Sequence, residues 1–260
     1  MFQKPSFFAP ENAEVFKHRS IAAAYHHRPP YPAEVFTILA GLIHAVPRRV
    51  LDVGSGTGNI ARNLIEHVES IDAVDFSLEM IEQGKQLPNG DHPHLHWLYG
   101  SMEEVALHPP YALVTAGESL HWMDWDIVLP RFHEVLQPGS YLAIVDPKTT
   151  PDPWSTVSEI TARYSTNKGT IRNMVDELVL RGLFQKVGEK ITTPVPFIQS
   201  IDDYIEAYHS RSGFSRERMG MEQAQAFDED ARKILLKTYP HGTITLQVAS
   251  RVVWGIPGRL

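Results

Sequence analysis

Between residues 50 and 145 the chain alternates short apolar runs with amphipathic stretches. The pattern predicts strands at 50–53, 70–74, 95–99, 111–116 and 140–145, and helices at 58–68, 78–87 and 125–136. The first of these helices places Ile60, Ala61, Leu64 and Ile65 at helical spacing, and Gln137-Pro138-Gly139 breaks the last one. Such alternation implies a parallel sheet covered on both faces. Upstream, residues 11–24 predict a short helix. Pro29, Pro30 and Pro32 then force extended backbone, and Pro32 opens a helix with Val35, Phe36, Leu39, Leu42 and Ile43 on its apolar face. After Asp146 three prolines, Pro147, Pro151 and Pro153, mark a break. Helices are predicted over 154–182, a strand over 186–197, helices over 201–211 and 222–238, and a closing strand over 243–254.

The fold class this predicts is α/β: a doubly wound, mostly parallel sheet of about seven strands with helices on both faces. The organisation is read as a single domain over 1–260. Residues 1–32 form a helical and proline-rich lead-in, 33–146 a ligand-binding core, and 147–260 a C-terminal part. Within that part, 200–241 is too polar for a central core element. It reads as a helical cover over a substrate site, with Gly213 and Gly220 as hinges, or as an ordinary peripheral helix pair.

Bulk composition narrows the function. The chain has 260 residues, 43% hydrophobic and 21% charged, with a formal net charge of −7. An acidic balance argues against a phosphate-dominated surface, so no nucleic-acid partner is expected. No apolar run approaches the ~20 residues of a membrane span. There is no cysteine, which removes disulfides, thiol nucleophiles and Cys-based zinc sites. A cytoplasmic monomer or homodimer acting on a small molecule is the expectation.

The chemistry concentrates at Val50-Leu51-Asp52-Val53-Gly54-Ser55-Gly56-Thr57-Gly58, where a strand runs into three glycines and then a helix. Glycine lets the backbone turn with φ > 0 and approach a ligand closely. The helix that follows is expected to aim its first amides at that ligand. Asp75 closes the second strand 21 residues after Gly54, the distance at which an acid holds a ribose. The spacing is G-x-G-x-G rather than the G-x-G-x-x-G of a pyrophosphate site. Asp52 beneath the loop suits a cationic ligand, and S-adenosylmethionine, with its ammonium, sulfonium and ribose, is one.

These residues resemble a known family. Asp52 to Gly58 looks like the first motif of class I S-adenosylmethionine-dependent methyltransferases, and Val74-Asp75-Phe76-Ser77-Leu78-Glu79-Met80 is similar to their second. Tyr111 to Trp122 resembles a fourth-strand segment with a His-Trp pair, and Leu136-Gln137-Pro138-Gly139-Ser140 their L-x-P-G-G turn, with Ser140 in place of the second glycine. Tyr25 to Pro32 is similar to the lead-in of the trans-aconitate and quinone-biosynthesis type. The resemblance covers roughly residues 20–146. It implies a Rossmann-like fold, S-adenosylmethionine as cofactor and methyl transfer to a small-molecule acceptor, O- or N-methylation unresolved. The cofactor contacts it implies are Tyr25, Arg28, Asp52, Gly54, Ser55, Gly56, Asp75, Phe76, Met80, Ser101, Met102, Glu103, Ala116 and Gly117. Tyr25 and Arg28 equally fit a structural clamp. Ser101 departs from the acid that many relatives carry to hold the adenine amino group. His121 is the candidate base and Glu118 the second, against a pocket-wall role for His121. The alternatives are a binding module without methyl transfer and a nucleotide-dependent oxidoreductase.

Other constellations carry less. His92, His94 and His96 alternate, but Pro93 fits an exposed loop better than a metal site, and no metal is expected. His133-Glu134 lacks the second histidine of a zinc-protease helix, and Ser119 lacks the second glycine of a nucleophile elbow. Trp122 and Trp125 either wall the pocket or pack the core. Arg211, Arg216 and Arg218 would suit an acidic or aromatic acceptor on composition alone.

Overall fold

The structure, a computed structural model, describes residues 12–150, 153–167 and 173–258. Its strands are β1 (Arg49–Val53), β2 (Ser70–Asp75), β3 (Leu95–Tyr99), β4 (Tyr111–Gly117), β5 (Leu136–Thr150), β6 (Phe184–Ile191), β7 (Val195–Ser200) and β8 (Thr243–Pro257). Its helices are α1 (Arg19–Ala24), α2 (Ala33–Gly41), α3 (Ala61–Leu64), α4 (Leu78–Lys85), α5 (Trp125–Val135), α6 (Pro153–Tyr164), α7 (Met174–Leu180), α8 (Ile201–His209), α9 (Arg216–Met219) and α10 (Met221–Thr238). The strand order is β3-β2-β1-β4-β5-β8-β6, with β7 also on β8. Strands β1 to β5 pair in parallel, and β6 and β7 run antiparallel to β8. The order reverses between β1 and β4, the place at whose carboxyl ends doubly wound sheets bind their ligands. No helix among the described residues is long and apolar enough to cross a membrane.

The chain forms two compact units. The first takes 31–147, 173–193 and 249–258 of the described residues. In it each central strand divides its side chains between two cores. Val50, Ile71, Ala73, Leu113, Ala143 and Val145 face Leu39 of α2 and Leu64 of α3. Leu51, Val53, Val74, Val114, Leu142 and Ile144 face Phe132 of α5 and Leu178 of α7. Burial on both faces is why these strands read as continuous apolar runs. Each fully buried large side chain contributes about 1.5–3 kcal/mol.

Nearer the amino ends, the buried Asp72 of β2 ties three strands together. Its Oδ2 accepts from the Tyr111 hydroxyl at 2.5 Å and from His108 Nδ1 at 3.1 Å, and its Oδ1 from His96 Nδ1 at 3.0 Å. Burial and the Asp72 carboxylate push the Tyr111 phenol well above its ordinary range, so it stays a donor.

The second unit takes 12–30, 148–150, 153–167 and 194–248 of the described residues. Its core is built on Phe227 of α10, whose ring centroid lies 5.1 Å from Phe214, 5.6 Å from Tyr208 and 5.8 Å from Tyr164. Ile201, Ile205, Leu235 and Ile244 complete it. Segment 200–241, which its polarity set apart from any core, therefore supplies one: the apolar face of α8 and α10 is buried while the polar residues cover the outside. Gly213 has a packing role in this core. A Cβ on it would stand 2.7 Å from Ser165 Oγ, so the glycine allows close packing.

Three of the boundaries that differ from the pattern have a local reason. The strand expected at 186–197 is two strands: Ile191 pairs with Arg251 but Val195 with Val248, a one-residue slip in register, and Pro194 has no N–H to continue a ladder. The Pro138-Gly139 breaker is absorbed in β5 as a bulge: Tyr111 pairs with Leu136, then Leu113 with Tyr141. The helix expected at 11–24 is a 3-10 turn over Glu14–Lys17 and then α1, parted by an extended His18.

Removing the Tyr111 hydroxyl leaves the buried Asp72 carboxylate one donor short. Tyr111→Phe should lower the unfolding free energy by about 1.5–3 kcal/mol, the value of a bond to a charged group. Urea unfolding measures it, and an unchanged midpoint would remove Asp72 from its role as the tie between strands.

Candidate functional site

At the end of β1 the backbone takes φ of +61° at Gly54, +56° at Gly56 and +77° at Gly58. A side chain is excluded at Gly54 on packing grounds too, since a Cβ there would lie 2.4 Å from Ser119 Cβ. Ser119 follows β4, so this contact sits where the strand order reverses. Its hydroxyl donates to the Val53 carbonyl at 2.5 Å. Ser119, set aside as a nucleophile, is thus the residue that fits the β4 turn onto the loop.

Two buried acids hold the loop. Asp75 Oδ2 accepts from Gly56 N at 2.7 Å and its Oδ1 from Ser77 N at 2.8 Å. Asp52 Oδ1 accepts from Thr115 Oγ1 at 2.8 Å and its Oδ2 from Ala61 N at 3.2 Å. The first amide of α3 is therefore taken by Asp52, which corrects the expectation that the helix aims its amides outward. The helix is also only one turn long, with a 3-10 turn (Ile65–His67) after it. Burial raises Asp52 to about 7, against the lowering effect of its two bonds. Burial likewise raises Asp75 to about 6, with the Ser77 and Gly56 amides opposing it.

Around this loop the expected residues take distinct places. Ser55 is half-buried, and its Oγ is buried with no hydrogen-bond partner. Phe76 is half-buried just past β2. Met80, Met102 and Ala116 are buried, Met102 and Ala116 in the α5-side core. Ser101 is half-buried, and its carbonyl accepts from Val105 N. Glu103 Oε1 accepts from Asp124 N at 2.9 Å, which braces the start of α5. At the end of β4, a Cβ on Gly117 would meet Ile60 Cδ1 and Tyr31 Oη, both at 2.8 Å. Glu118 is exposed with φ +52°, and its N–H bonds Val145 O. His121 is half-buried, its ring 4.5 Å from Trp122. Trp125 is core, donating to Leu120 O at 2.9 Å.

Tyr25 and Arg28 belong to the second unit. Arg28 stacks over the Tyr25 ring at 4.3 Å and bonds Ser210 through Nε at 2.7 Å and Nη2 at 2.8 Å. Thr115, Ser77, Ser119 and Tyr31 were missed by the sequence reading. Only Ser77 carried a local signal, as the N-cap of α4.

The carboxyl-end segments 54–60, 75–78, 99–104 and 117–124 contain no Lys or Arg. They do contain Asp75, Glu103, Glu104, Glu118 and Asp124. A glycine cradle with acids and an unpartnered hydroxyl beside it fits a polar, cationic ligand, and the two arginines that reach these loops, Arg62 and Arg131, bond the Thr57 and Met102 carbonyls. Among the described residues no group of three or more His, Asp or Glu is arranged for a metal.

The raised Asp52 keeps its proton in the fold at pH values where the unfolded chain has lost it. The parent therefore loses stability as pH rises from about 4 through about 7. Asp52→Asn carries no such proton. Its unfolding free energy relative to the parent should shift in the variant's favour across that window and level off above it. Urea unfolding over pH reads this directly, and a flat difference would place Asp52 outside the buried interior.

Comparison with known proteins agrees with this geometry. Residues 50–139 match a methyltransferase-domain family. An uncharacterized methyltransferase of Mycobacterium tuberculosis is 30% identical over 180 residues, 68% of this chain and 64% of its own. The chain thus spans just under two thirds of the length of these curated relatives. A solved structure from Anaeromyxobacter dehalogenans, described as a type II methyltransferase, superposes with a TM-score of 0.65 at 22% identity, over 88% of this chain and 96% of that one. A second methyltransferase-like structure, from Bacillus halodurans, gives 0.53 at 14% identity, over 86% and 100%. By its sheet order and loop geometry the chain has a Rossmann-like fold shared with these methyltransferase structures, and its residues 50–139 are similar to a methyltransferase domain.

Proposed function

We propose that this protein transfers a methyl group from S-adenosylmethionine to a small-molecule acceptor. The observation that carries the reading is the positive-φ glycine loop locked by Asp75 at the β1/β4 reversal, with acids in the strand-end segments around it. When bound, the cofactor supplies a methyl group made electrophilic by a sulfonium.

The residues of this chain then have defined tasks. Gly54, Ser55 and Gly56 line the cradle, and the Ser55 hydroxyl gains a partner. Asp75 accepts from the Gly56, Ser77 and Phe76 amides, and the carboxylate's remaining acceptor capacity serves ribose hydroxyls. Phe76 and Ser101 border the base, with Met80 and Met102 supporting them from within the core. Because the methyl is already reactive, the protein's work is to align the acceptor and keep water away. His121 takes a proton when the acceptor must lose one, with Trp122 holding its ring.

Calorimetric titration with S-adenosylhomocysteine should show one site per chain, and NAD(H) should give no binding heat. Asp75→Asn keeps one acceptor for the loop but loses the charge that strengthens bonds to the ribose. Its affinity should fall by about one to two orders of magnitude, or roughly 1.4–2.8 kcal/mol. NAD(H) binding without a response to S-adenosylhomocysteine would establish the oxidoreductase reading instead.

A further inference from the structure

The amino edge of the first unit's sheet, at the other end of the strands from the glycine loop, carries its own polar group. Arg49 opens β1, Ser70 opens β2, and His94 and His96 bracket the first residue of β3. The register sets Arg49 opposite Ser70 and Asp72 opposite His96. Residues paired in this way turn their side chains to one face. Arg49, Ser70, His94 and His96, with Val68 and Glu69, line a cavity of about 660 Å³, and all of them belong to the first unit.

The donors of this cavity are held in place without being used up. Arg49 Nη2 stands 3.8 Å from Asp72 Oδ2, and its guanidinium lies 5.6 Å from the centre of the Tyr111 ring. Neither contact is a hydrogen bond, so the fork of N–H groups keeps its donors. His96 turns Nδ1 onto Asp72 Oδ1 at 3.0 Å, which leaves Nε2 on the far side of a ring that is 46% exposed. The His94 ring lies 5.6 Å from His92, and among the described residues neither it nor the Ser70 hydroxyl is hydrogen-bonded. The nearby acids, by contrast, are engaged. Asp72 accepts from Tyr111, His96 and His108, and Glu69 Oε1 accepts from Arg48 N at 3.1 Å.

We infer that this cavity binds a phosphate monoester. The Arg49 fork takes two of its oxygens, and the Ser70 hydroxyl and the two imidazoles serve the third. A carboxylate has two oxygens and leaves part of that donor set without a partner. The organic group of the ester occupies the rest of the cavity, beside Val68. Binding is coupled to protons. With its Nδ1–H on Asp72, a neutral His96 presents a lone pair at Nε2, so an oxyanion bonds there only when the ring carries a second proton. The charged and titratable groups around these rings are Arg49 on β1, Glu69 and Asp72 at β2, His92 before β3, and His108 and Tyr111 at β4. Two carboxylates against one arginine oppose a dianion until the imidazoles are charged. The site therefore strengthens as pH falls through the range where histidine titrates.

Calorimetry on the full chain at constant ionic strength tests this with three probes. Phenyl phosphate should bind at pH 6 with a Kd of about a millimolar or tighter, and benzoate should bind about tenfold more weakly or not at all. Inorganic sulfate, a dianion at both pH values, should bind about tenfold more tightly at pH 6 than at pH 8. Arg49→Gln and His94→Gln should each weaken phenyl phosphate by about tenfold. His94→Gln removes a ring that no hydrogen bond holds among the described residues, so it reads the site even where Arg49→Gln disturbs the packing on Tyr111. Added S-adenosylhomocysteine should leave phenyl phosphate in place. The inference is overturned if phenyl phosphate does not bind at millimolar concentration at pH 6, or if benzoate binds as well. It is equally overturned if sulfate binds alike at the two pH values, or if His94→Gln binds phenyl phosphate like the parent. Displacement of phenyl phosphate by S-adenosylhomocysteine would move the anion to the glycine loop and overturn it too.

Discussion

The carboxylate of Asp75 is the constraint on which the carboxyl edge depends. One oxygen fixes the middle of the glycine loop and the other fixes the turn into α4. Burying a carboxylate is costly, and its rise to about 6 is the mark of that cost. The backbone amides of Ser77, Gly56 and Phe76 offset part of it, because bonds to an ionised acceptor are strong. The acid thus holds the amides of the loop in one arrangement. Asp52 performs the matching task from below, joining β4 through Thr115 to the start of α3.

Packing makes the same edge rigid. The contact between Gly54 and Ser119 brings the turn after β4 against the loop after β1, and Tyr31 and Ile60 close on Gly117 in the same way. The site therefore stands on strand ends whose side chains are committed to two cores, and the Asp72 tie holds β2, β3 and β4 in register nearer their other ends. Rigid support of this kind suits a reaction in which alignment does most of the work. Charge is distributed with equal consistency. The acids sit at the strand ends of the first unit, while the arginines of the second are hydrogen-bonded to their own neighbours or stacked on rings.

Much of the first unit was legible in the sequence because parallel strands are buried on both faces and announce themselves as unbroken apolar runs. The five strands from β1 to β5 fall where those runs are, and the three glycines mark the loop. Other elements were not legible for specific reasons. The Pro138-Gly139 pair is a sound breaker locally, yet β4 accepts it as a bulge because the ladder resumes on either side. The polarity of 200–241 described the outer faces of α8 and α10, whereas their buried faces depend on Phe214 and Phe227 meeting across the unit.

By itself the sequence determined the alternation of strands and helices, the position and conformation of the glycine loop, and the placing of an acid at the end of β2. Each of these follows from short-range rules: periodicity, the φ freedom of glycine, and the reach of a strand. Only the tertiary structure decided what the acids do. Asp52 turned inward because Thr115 lies 63 residues away in sequence and one strand away in space. The core methionines and the committed arginines were decided the same way. Whether a side chain faces a ligand or a neighbour depends on partners distant in the chain, and no local pattern encodes who those partners are.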